Sequence, residues 1–260
     1  MDNVNKTLYI PLYGKAYVSH RGLLLEDKKA EEIWEAEGFA LKGKAKSKWL
    51  AYNMGMRSAV FDRWTKQQIQ SNPGAVVLHV GCGMDSRIVR VGAKNCQWYD
   101  VDFPEVIAER KRYFEETENY HMIGSDIREK AWFSAIPAGT TAIVAMEGVS
   151  MYLKSEELKA VLKAWQSYFG EIRILMDTYT VFAAKATKYK NPINEVGVTQ
   201  VYGLDNPRTL LEDTGLSRVQ EHSLTPDWLI AQLPKREQGF FRCLFAGEIA
   251  KKIYRLYEFQ

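Results

Sequence analysis

The chain has 260 residues, 46% of them hydrophobic and 26% charged, which suffices for one large α/β domain with additions. Its net charge of +3 is too small to predict a nucleic-acid partner. No stretch reaches the ~18 consecutive apolar residues of a membrane helix, and the first residues form no secretory signal, so we expect no membrane partner and a cytoplasmic location. The cysteines, Cys82, Cys96 and Cys243, lack metal-ligand spacing, so we expect neither disulfides nor a metal site.

Residues 1–72 have mostly helical patterns and precede the first predicted strand. We predict that they form an N-terminal helical extension docked on a main domain, residues 73–260. One face of this extension carries apolar residues at helical spacing, which are Leu50, Met54, Phe61 and Trp64. Arg57 lies in the same face. A buried arginine needs an anion, and the spacing favours a protein carboxylate and a ligand equally.

A buried-type strand at 76–80 runs into a turn that contains Gly81 and Gly83. Such glycines let the backbone approach a ligand where a Cβ would collide, although a turn of this kind is equally often only a tight connection. Ser86 replaces the third glycine of the dinucleotide fingerprint. The next predicted strand ends in carboxylates about 19 residues beyond Gly83, near the spacing of a ribose-hydroxyl acceptor. Together the two features predict an adenosine-bearing ligand.

From Gly74 onward, strand and helix patterns alternate, which predicts an α/β fold with a doubly wound, mostly parallel sheet. The predicted strands cover 76–80, 97–101, 120–123, 142–146, 172–176, 217–221 and 253–259. The last two favour a terminal hairpin with an antiparallel last strand, although a separate small element fits equally well. Ser155 is the predicted N-cap of a helix that Gly170 closes. The irregular segment 178–207 is predicted to be a lid-like insertion after strand five.

Acidic residues follow four consecutive predicted strands, where ligands bind in open α/β sheets. They are Asp100 and Asp102, Asp126, Glu147, and Asp177. A dinucleotide would need only the second-strand acid, and further carboxylates would repel its pyrophosphate. S-adenosylmethionine carries a sulfonium, an ammonium group, a ribose diol and an adenine amine, and its carboxylate would account for Arg57. The pattern therefore predicts this cofactor.

Four ordered blocks strengthen this interpretation: VGCGMDSR at 80–87, WYDVDFPEV at 98–106, SDIR at 125–128 and MEGVSMYL at 146–153. Over roughly residues 50–180 the chain resembles the leucine carboxyl methyltransferase family, which includes polyketide O-methyltransferases of the tetracenomycin type. The resemblance implies a Rossmann-like class I methyltransferase fold. In that fold a seven-stranded sheet ends in an antiparallel strand.

The resemblance also implies contacts with the methionine and ribose parts of the cofactor. Arg57 matches the family's arginine that holds the methionine carboxylate. Gly81 and Gly83 match the cofactor turn. Asp102 matches the acid that accepts hydrogen bonds from the ribose hydroxyls.

Further matches concern the adenine and the amino group. Asp126 and Ile127 match the pair at the adenine, with the carboxylate near its exocyclic amine. Glu147 matches the acid near the cofactor's amino group or sulfonium. Asp85 and Arg87 fit the family pattern too, but a helix cap and a structural ion pair explain them at least as well.

We therefore predict an S-adenosylmethionine-dependent O-methyltransferase for a small-molecule or peptide acceptor. A carboxylate acceptor needs no general base, whereas a phenol or alcohol does. None of the histidines follows a predicted central strand, which favours an acidic acceptor; they are His20, His79, His121 and His222. Two alternatives stay open: a nicotinamide-dependent oxidoreductase, and a non-catalytic module that binds the same cofactor. The sequence identifies no catalytic residue, acceptor or oligomeric state.

Overall fold

The computed structural model describes residues 8–37, 46–186 and 200–260. Its seven strands are β1 (Val76–Val80), β2 (Gln97–Asp102), β3 (Tyr120–Gly124), β4 (Thr141–Met146), β5 (Glu171–Tyr179), β6 (Val219–His222) and β7 (Tyr254–Phe259). They form one sheet in the order β3-β2-β1-β4-β5-β7-β6. The first five strands are parallel, and β7 is antiparallel to both β5 and β6. The predicted doubly wound sheet and its terminal hairpin are confirmed.

Helices cover both faces of this sheet. They are α1 (Tyr9–His20), α2 (Lys28–Glu37), α3 (Lys48–Ser71), α4 (Arg87–Val91), α5 (Pro104–Arg110), α6 (Ser155–Phe169), α7 (Val181–Ala186), α8 (Asp227–Ile230), α9 (Lys235–Phe245) and α10 (Gly247–Lys251). Short 3-10 helices occupy Ala131–Ala135, Ser150–Tyr152 and Pro207–Leu210. Among the described residues, no helix has both the length and the apolar character needed to cross a membrane.

The hydrophobic core has one layer on each side of the sheet. On one side, Leu162 and Trp165 of α6 pack among the side chains of β1, β4 and β5. On the other, Leu12, Ile33 and Phe61 bring α1, α2 and α3 into a single cluster with the central strands. Because burial of apolar area is the main favourable term in folding, the N-terminal helices stabilise the sheet directly. They also reach the edge where β1 and β4 end.

Two local predictions need correction. Ser155 is the first residue of α6, not its N-cap, and the backbone N–H of Lys154 is satisfied by the carboxylate of Glu157. Gly170 does end the helix, with a positive φ of 79° that favours glycine. Strand β5 continues three residues past its predicted end, because β7 pairs with it as far as Tyr179. Asp177 therefore lies within a strand.

The predicted insertion, 178–207, falls partly outside the described residues, which exclude 187–199. Its described parts are the end of β5, the short helix α7 and a return segment. In this return, Gly203 forms a parallel bridge with Tyr179. The chain thus comes back to the strand from which the insertion leaves.

Candidate active site

The carboxyl ends of five parallel strands lie level at one edge of the sheet. Val80 is in register with Val101 and Met146, and the same level continues to Ile123 and Met176. The next residues along these strands are Gly81, Asp102, Gly124, Glu147 and Asp177. The glycine turn and the strand-end acids are therefore side by side.

A cavity of about 950 Å³ opens at this edge, a size typical of small-molecule sites. Its lining includes all seven predicted cofactor residues, which are Arg57, Gly81, Gly83, Asp102, Asp126, Ile127 and Glu147. Two other strand-end acids are not in the lining. Asp100 is buried against Arg110, and Asp177 is buried against Arg57.

Asp102 is hydrogen-bonded to the glycine turn. Its two carboxylate oxygens accept separate backbone N–H groups, from Gly83 at 2.8 Å and from Phe103 at 2.8 Å. Burial raises the pKa of Asp102 to about 6, even though both hydrogen bonds favour the ionised form. The hydrogen bond from Gly83 thus fixes Asp102 against the turn, and the Asp102 carboxyl group loses its proton at about pH 6.

Gly81 is required for steric reasons, and its substitution gives a first prediction. Its φ is +63°, and a Cβ there would lie 2.1 Å from Cγ2 of Val149. Gly22, which follows α1, also has a positive φ, of +64°, but a Cβ there meets nothing within 4 Å. We expect Gly22→Ala to lower the free energy of unfolding by about 1–2 kcal/mol through backbone strain alone. Gly81→Ala should cost clearly more in urea denaturation, and equal losses would contradict a close approach at Gly81.

Arg57 is buried at the inner end of the cavity. Its Nε donates to Glu147 at 3.0 Å, and its Nη1 donates to Asp177 at 3.0 Å and to the Tyr254 hydroxyl at 3.0 Å. Its Nη2 makes no hydrogen bond to the part of the chain that the structure describes. Arg57 therefore pairs with protein carboxylates, as a buried arginine requires. Its Nη2 group can still donate hydrogen bonds to an anion in the cavity.

Glu147 lies between two guanidinium groups. It accepts hydrogen bonds from Arg57, from Arg87 and from the Ser58 hydroxyl. Burial opposes its ionisation, but Arg57 and Arg87 outweigh burial and lower the pKa of Glu147 to about 2. Glu147 is thus an anion at the cavity wall at any physiological pH.

Arg57 is not the only cation beside the strand-end acids. Asp85 forms ion pairs with Lys15 at 3.2 Å, with Arg87 at 3.1 Å and with Arg90 at 2.9 Å. Arg87 and Arg90 also pair with Asp62 of α3. Asp85 and Arg87 are therefore members of a buried ion-pair network. This agrees with the ion pair considered for Arg87, whereas Asp85 is not a helix cap, since Ser86 is the N-cap of α4, and it also lines the cavity.

Lys15 was not anticipated from the sequence. It is buried on α1, lines the cavity and is near enough to Glu147 to lower that residue's pKa. The available signal was a lysine in an otherwise largely apolar helical segment, Tyr9–His20. Such a lysine is buried only when it is paired. Lys15, Arg57 and Arg87 together place three cations beside Glu147.

The other charged end of the cavity is formed after β3. Asp126 accepts hydrogen bonds from the backbone N–H of Arg128 at 2.9 Å and from its Nε at 3.0 Å. The Arg128 side chain lowers the pKa of Asp126. Ile127, beside them, packs against the core that β1 and β4 share. This end of the cavity thus combines a carboxylate with an apolar surface.

Much of the remaining lining is apolar and comes from α3 and from elements near β5 and β7. It includes Leu50, Met54, Met151, Phe182, Ala183, Leu244, Phe245 and Ile253. Its polar members among the described residues are the Asn53 amide and the hydroxyls of Tyr152, Tyr179 and Tyr254. The charged lining residues all belong to α1, to α3 or to the chain between β1 and Glu147, the residue that follows β4. The cavity therefore has one charged half and one apolar half.

Among the described histidines, His79 alone lines the cavity, and both its ring nitrogens are engaged. Nδ1 is 3.0 Å from Asp100, and Nε2 is 2.9 Å from Nη1 of Arg87. Burial and the Arg87 charge lower the pKa of His79, so it is neutral at pH 7. Cys82 is buried, and burial raises the pKa of its thiol, as expected for a small filler. Neither side chain is arranged as a general base or nucleophile.

The family follows from comparison with known proteins. A family model described as leucine carboxyl methyltransferase matches residues 6–166. The chain belongs to the leucine carboxyl methyltransferase family. No group of three or more potential metal ligands is present in the described ranges.

Two curated relatives are similar over part of their length. The tetracenomycin polyketide synthesis O-methyltransferase TcmP of Streptomyces glaucescens is 31% identical over 166 residues, 64% of this chain and 62% of the relative. The S-adenosyl-L-methionine-dependent methyltransferase dpfgK of Gibberella zeae is 28% identical over 169 residues, 59% of this chain and 57% of the relative. The matches thus span less than two thirds of either relative.

A solved structure agrees on the fold. The magnesium protoporphyrin IX methyltransferase ChlM from Synechocystis PCC 6803, with bound SAH, aligns with a TM-score of 0.53 at 14% identity. The alignment covers 88% of this chain and 92% of that one. The chain therefore has the predicted class I methyltransferase fold.

Proposed function

We propose that the protein is an S-adenosylmethionine-dependent O-methyltransferase. The observation that carries this proposal is that one cavity combines a charged half with an apolar half. In the charged half, Glu147, Arg57 and Lys15 lie at one end. Asp102 and Asp126 lie at the other end. Family membership and the methyltransferases among its relatives support it.

The residues of the charged half match the groups of this cofactor. Lys15 and the unpaired Nη2 of Arg57 suit its carboxylate, and Glu147 suits its ammonium group. Asp102 suits the ribose hydroxyls. Asp126 and Ile127 suit the adenine amine and ring. When bound, S-adenosylmethionine supplies a methyl carbon activated by positive sulfur.

The protein contributes position and exclusion of water. An in-line displacement gains most from holding the acceptor oxygen against the methyl carbon at one angle. The apolar half removes water from that contact, which strengthens the attraction between an anionic oxygen and a sulfonium. Because His79 is neutral and fully engaged, we propose an acceptor oxygen that is already ionised or readily ionised, on a carboxylic acid or an acidic phenol.

We propose a small-molecule acceptor with a largely apolar body, matched to the apolar half. Tyr152 and Tyr179 line that half, as expected for residues that orient an acceptor. Lys185 of α7 is exposed and outside the lining, and Lys188, Tyr189 and Lys190 lie outside the described residues. We further propose that the enzyme works in the cytoplasm, where its free cysteines stay reduced.

A labelled-methyl transfer screen tests the activity. The protein and methyl-labelled S-adenosylmethionine are incubated with paired acceptors such as naphthoic acids, naphthols and peptides that end in a free carboxylate. We expect transfer to an apolar acid or acidic phenol. Transfer to none of them, by protein that binds the cofactor, would favour the non-catalytic module. Reduction of a nicotinamide cofactor in a parallel absorbance assay would favour the oxidoreductase.

Asp102 also predicts how cofactor affinity depends on pH. Its pKa of about 6 means that it is ionised at pH 7 and becomes protonated as the pH falls through 6. If only the carboxylate accepts the ribose hydroxyls, affinity should fall about tenfold per pH unit below 6. Calorimetric titrations between pH 5 and 8 measure this fall. Asp102→Asn should bind weakly with no such step, and a step of equal size in that variant would contradict the assignment.

A further inference from the structure

Exposed apolar residues extend from the mouth of the cavity onto helices α9 and α10. We call this surface the mouth rim, and it consists of Phe182, Phe240, Leu244, Ile249 and Ile253, whose exposed fractions lie between 46% and 71%. They are five of the seven large hydrophobic residues exposed in the described part of the chain. Three of them, Phe182, Leu244 and Ile253, also line the cavity. Exposed apolar residues grouped in this way mark an interaction surface.

The rim is carried mainly by helices α9 and α10. Phe241 is fully buried, and its ring is 6.3 Å from the ring of Tyr52. Phe245 stacks at 5.6 Å on Trp49. These two aromatics anchor α9 to α3. Phe240 and Leu244 lie four residues apart on α9 and are 48% and 46% exposed, although the Phe240 ring also contacts Trp49 at 4.8 Å. The helix is thus anchored to α3 and leaves about half of each of these two side chains open to solvent.

Basic side chains accompany the rim. Residues 235–255 contain six basic and two acidic residues, whereas the whole chain has a net charge of only +3. The acids are Glu237, which pairs with Lys48, and Glu248, which pairs with Lys251. Lys235, Arg236 and Lys252 form no ion pair with any residue that the structure describes. A stretch with a net positive charge therefore lies in the same segment as four of the five rim residues.

We propose that the mouth rim docks reversibly on an anionic lipid bilayer. Helices that lie in a membrane interface combine exposed Phe, Leu and Ile with neighbouring Lys and Arg. The apolar side chains enter the boundary of the acyl chains, and the cations pair with anionic headgroups. A second copy of this chain is a less suitable partner for the mouth rim. A two-fold contact between identical surfaces would bring the same positive charges together.

Docking of this kind agrees with the shape of the cavity. Its apolar half opens within the rim, so an apolar molecule would pass from the bilayer into the cavity without crossing water. This step rests on the proposed function, whereas the docking itself does not. No membrane partner was expected from the sequence, because no segment is long enough to span a bilayer. A surface contact requires no such segment.

Vesicle sedimentation tests the proposal without any methyl acceptor. The protein is mixed at low ionic strength with sucrose-loaded vesicles, either of pure phosphatidylcholine or of equimolar phosphatidylcholine and phosphatidylglycerol. We expect sedimentation with the anionic vesicles and about tenfold less with the neutral ones. Added salt should weaken the binding. Equal binding to both vesicles, or to neither, would overturn the proposal.

Matched variants locate the contact. Phe240→Ser combined with Ile249→Ser removes two rim side chains outside the cavity lining, and Lys235→Glu with Lys252→Glu reverses two charges. Each pair should lower vesicle binding about tenfold. The controls are Val89→Ser, an exposed apolar residue elsewhere, and Lys94→Glu with Lys130→Glu. Equal losses in the controls would overturn the proposal. So would a dimer in solution that Phe240→Ser with Ile249→Ser dissociates, or binding only to an acidic protein.

Discussion

Replacement of Arg57 by methionine should lower the free energy of unfolding by about 3–5 kcal/mol, the cost of removing one partner from a buried ion pair. Arg57 is 5% exposed and touches two carboxylates, Glu147 and Asp177. Glu147 keeps Arg87, but Asp177 loses its guanidinium partner. Urea denaturation at pH 7 measures the loss. Methionine keeps most of the side-chain volume, so the result reports chiefly on charge.

A second arginine on α3 provides the control. Arg63 is exposed and stacks on Trp228 at 5.0 Å. Arg63→Met should cost less than about 1 kcal/mol. A loss for Arg57→Met no larger than that for Arg63→Met would show that the carboxylates around Arg57 do not depend on it. Arg57→Met should also bind S-adenosylmethionine more weakly, because the Nη2 group of Arg57 is gone.

Replacement of Asp102 by alanine should weaken binding of S-adenosylmethionine by about 1.5–3 kcal/mol, roughly 10- to 150-fold. The carboxylate lies level with the glycine turn and lines the cavity, and two ribose hydroxyls are the donors that it suits. Calorimetric titration of folded protein measures the change. The variant also removes the acceptor of the Gly83 N–H, so its unfolding is measured in parallel.

Glu129→Ala is the matched control for Asp102. Glu129 is an exposed acid at the same edge of the sheet, three residues after Asp126, and is not part of the cavity lining. Its removal should leave affinity unchanged. Wild-type affinity in Asp102→Ala, with intact folding, would reject the role of Asp102 at the ribose.

Much of the fold could be predicted because the sheet is encoded locally. Continuous apolar runs such as 76–80 are typical of strands buried on both faces, and turn residues bound them. Parallel pairing brings the strand ends to the same level. For this reason the sequence could predict that the glycine turn, Asp102 and Glu147 lie together. The predicted Ser155 cap was wrong by one residue, because Lys154 occupies the N-cap position and Glu157 accepts the hydrogen bond from its backbone N–H.

The ion-pair network was not predictable by the same reasoning. Arg87 meets Asp62 across 25 positions and Glu147 across 60, and Lys15 reaches Asp85 from the first described helix. Spacing along the chain reports neighbours on one element, not partners brought together by packing of α1 and α3 on the sheet. The mouth rim was missed for a related reason. Phe240 and Leu244 have helical core spacing, and only the structure identifies the face that remains uncovered.

The central claim is that the charged half of the cavity holds S-adenosylmethionine, and calorimetric titration of this cofactor into the wild-type protein tests it most directly. We predict saturable binding at one site per chain, with a dissociation constant well below a millimolar. We also predict clear weakening in both Arg57→Met and Asp102→Ala. No heat of binding at millimolar cofactor, from protein that is folded by circular dichroism, would contradict the claim.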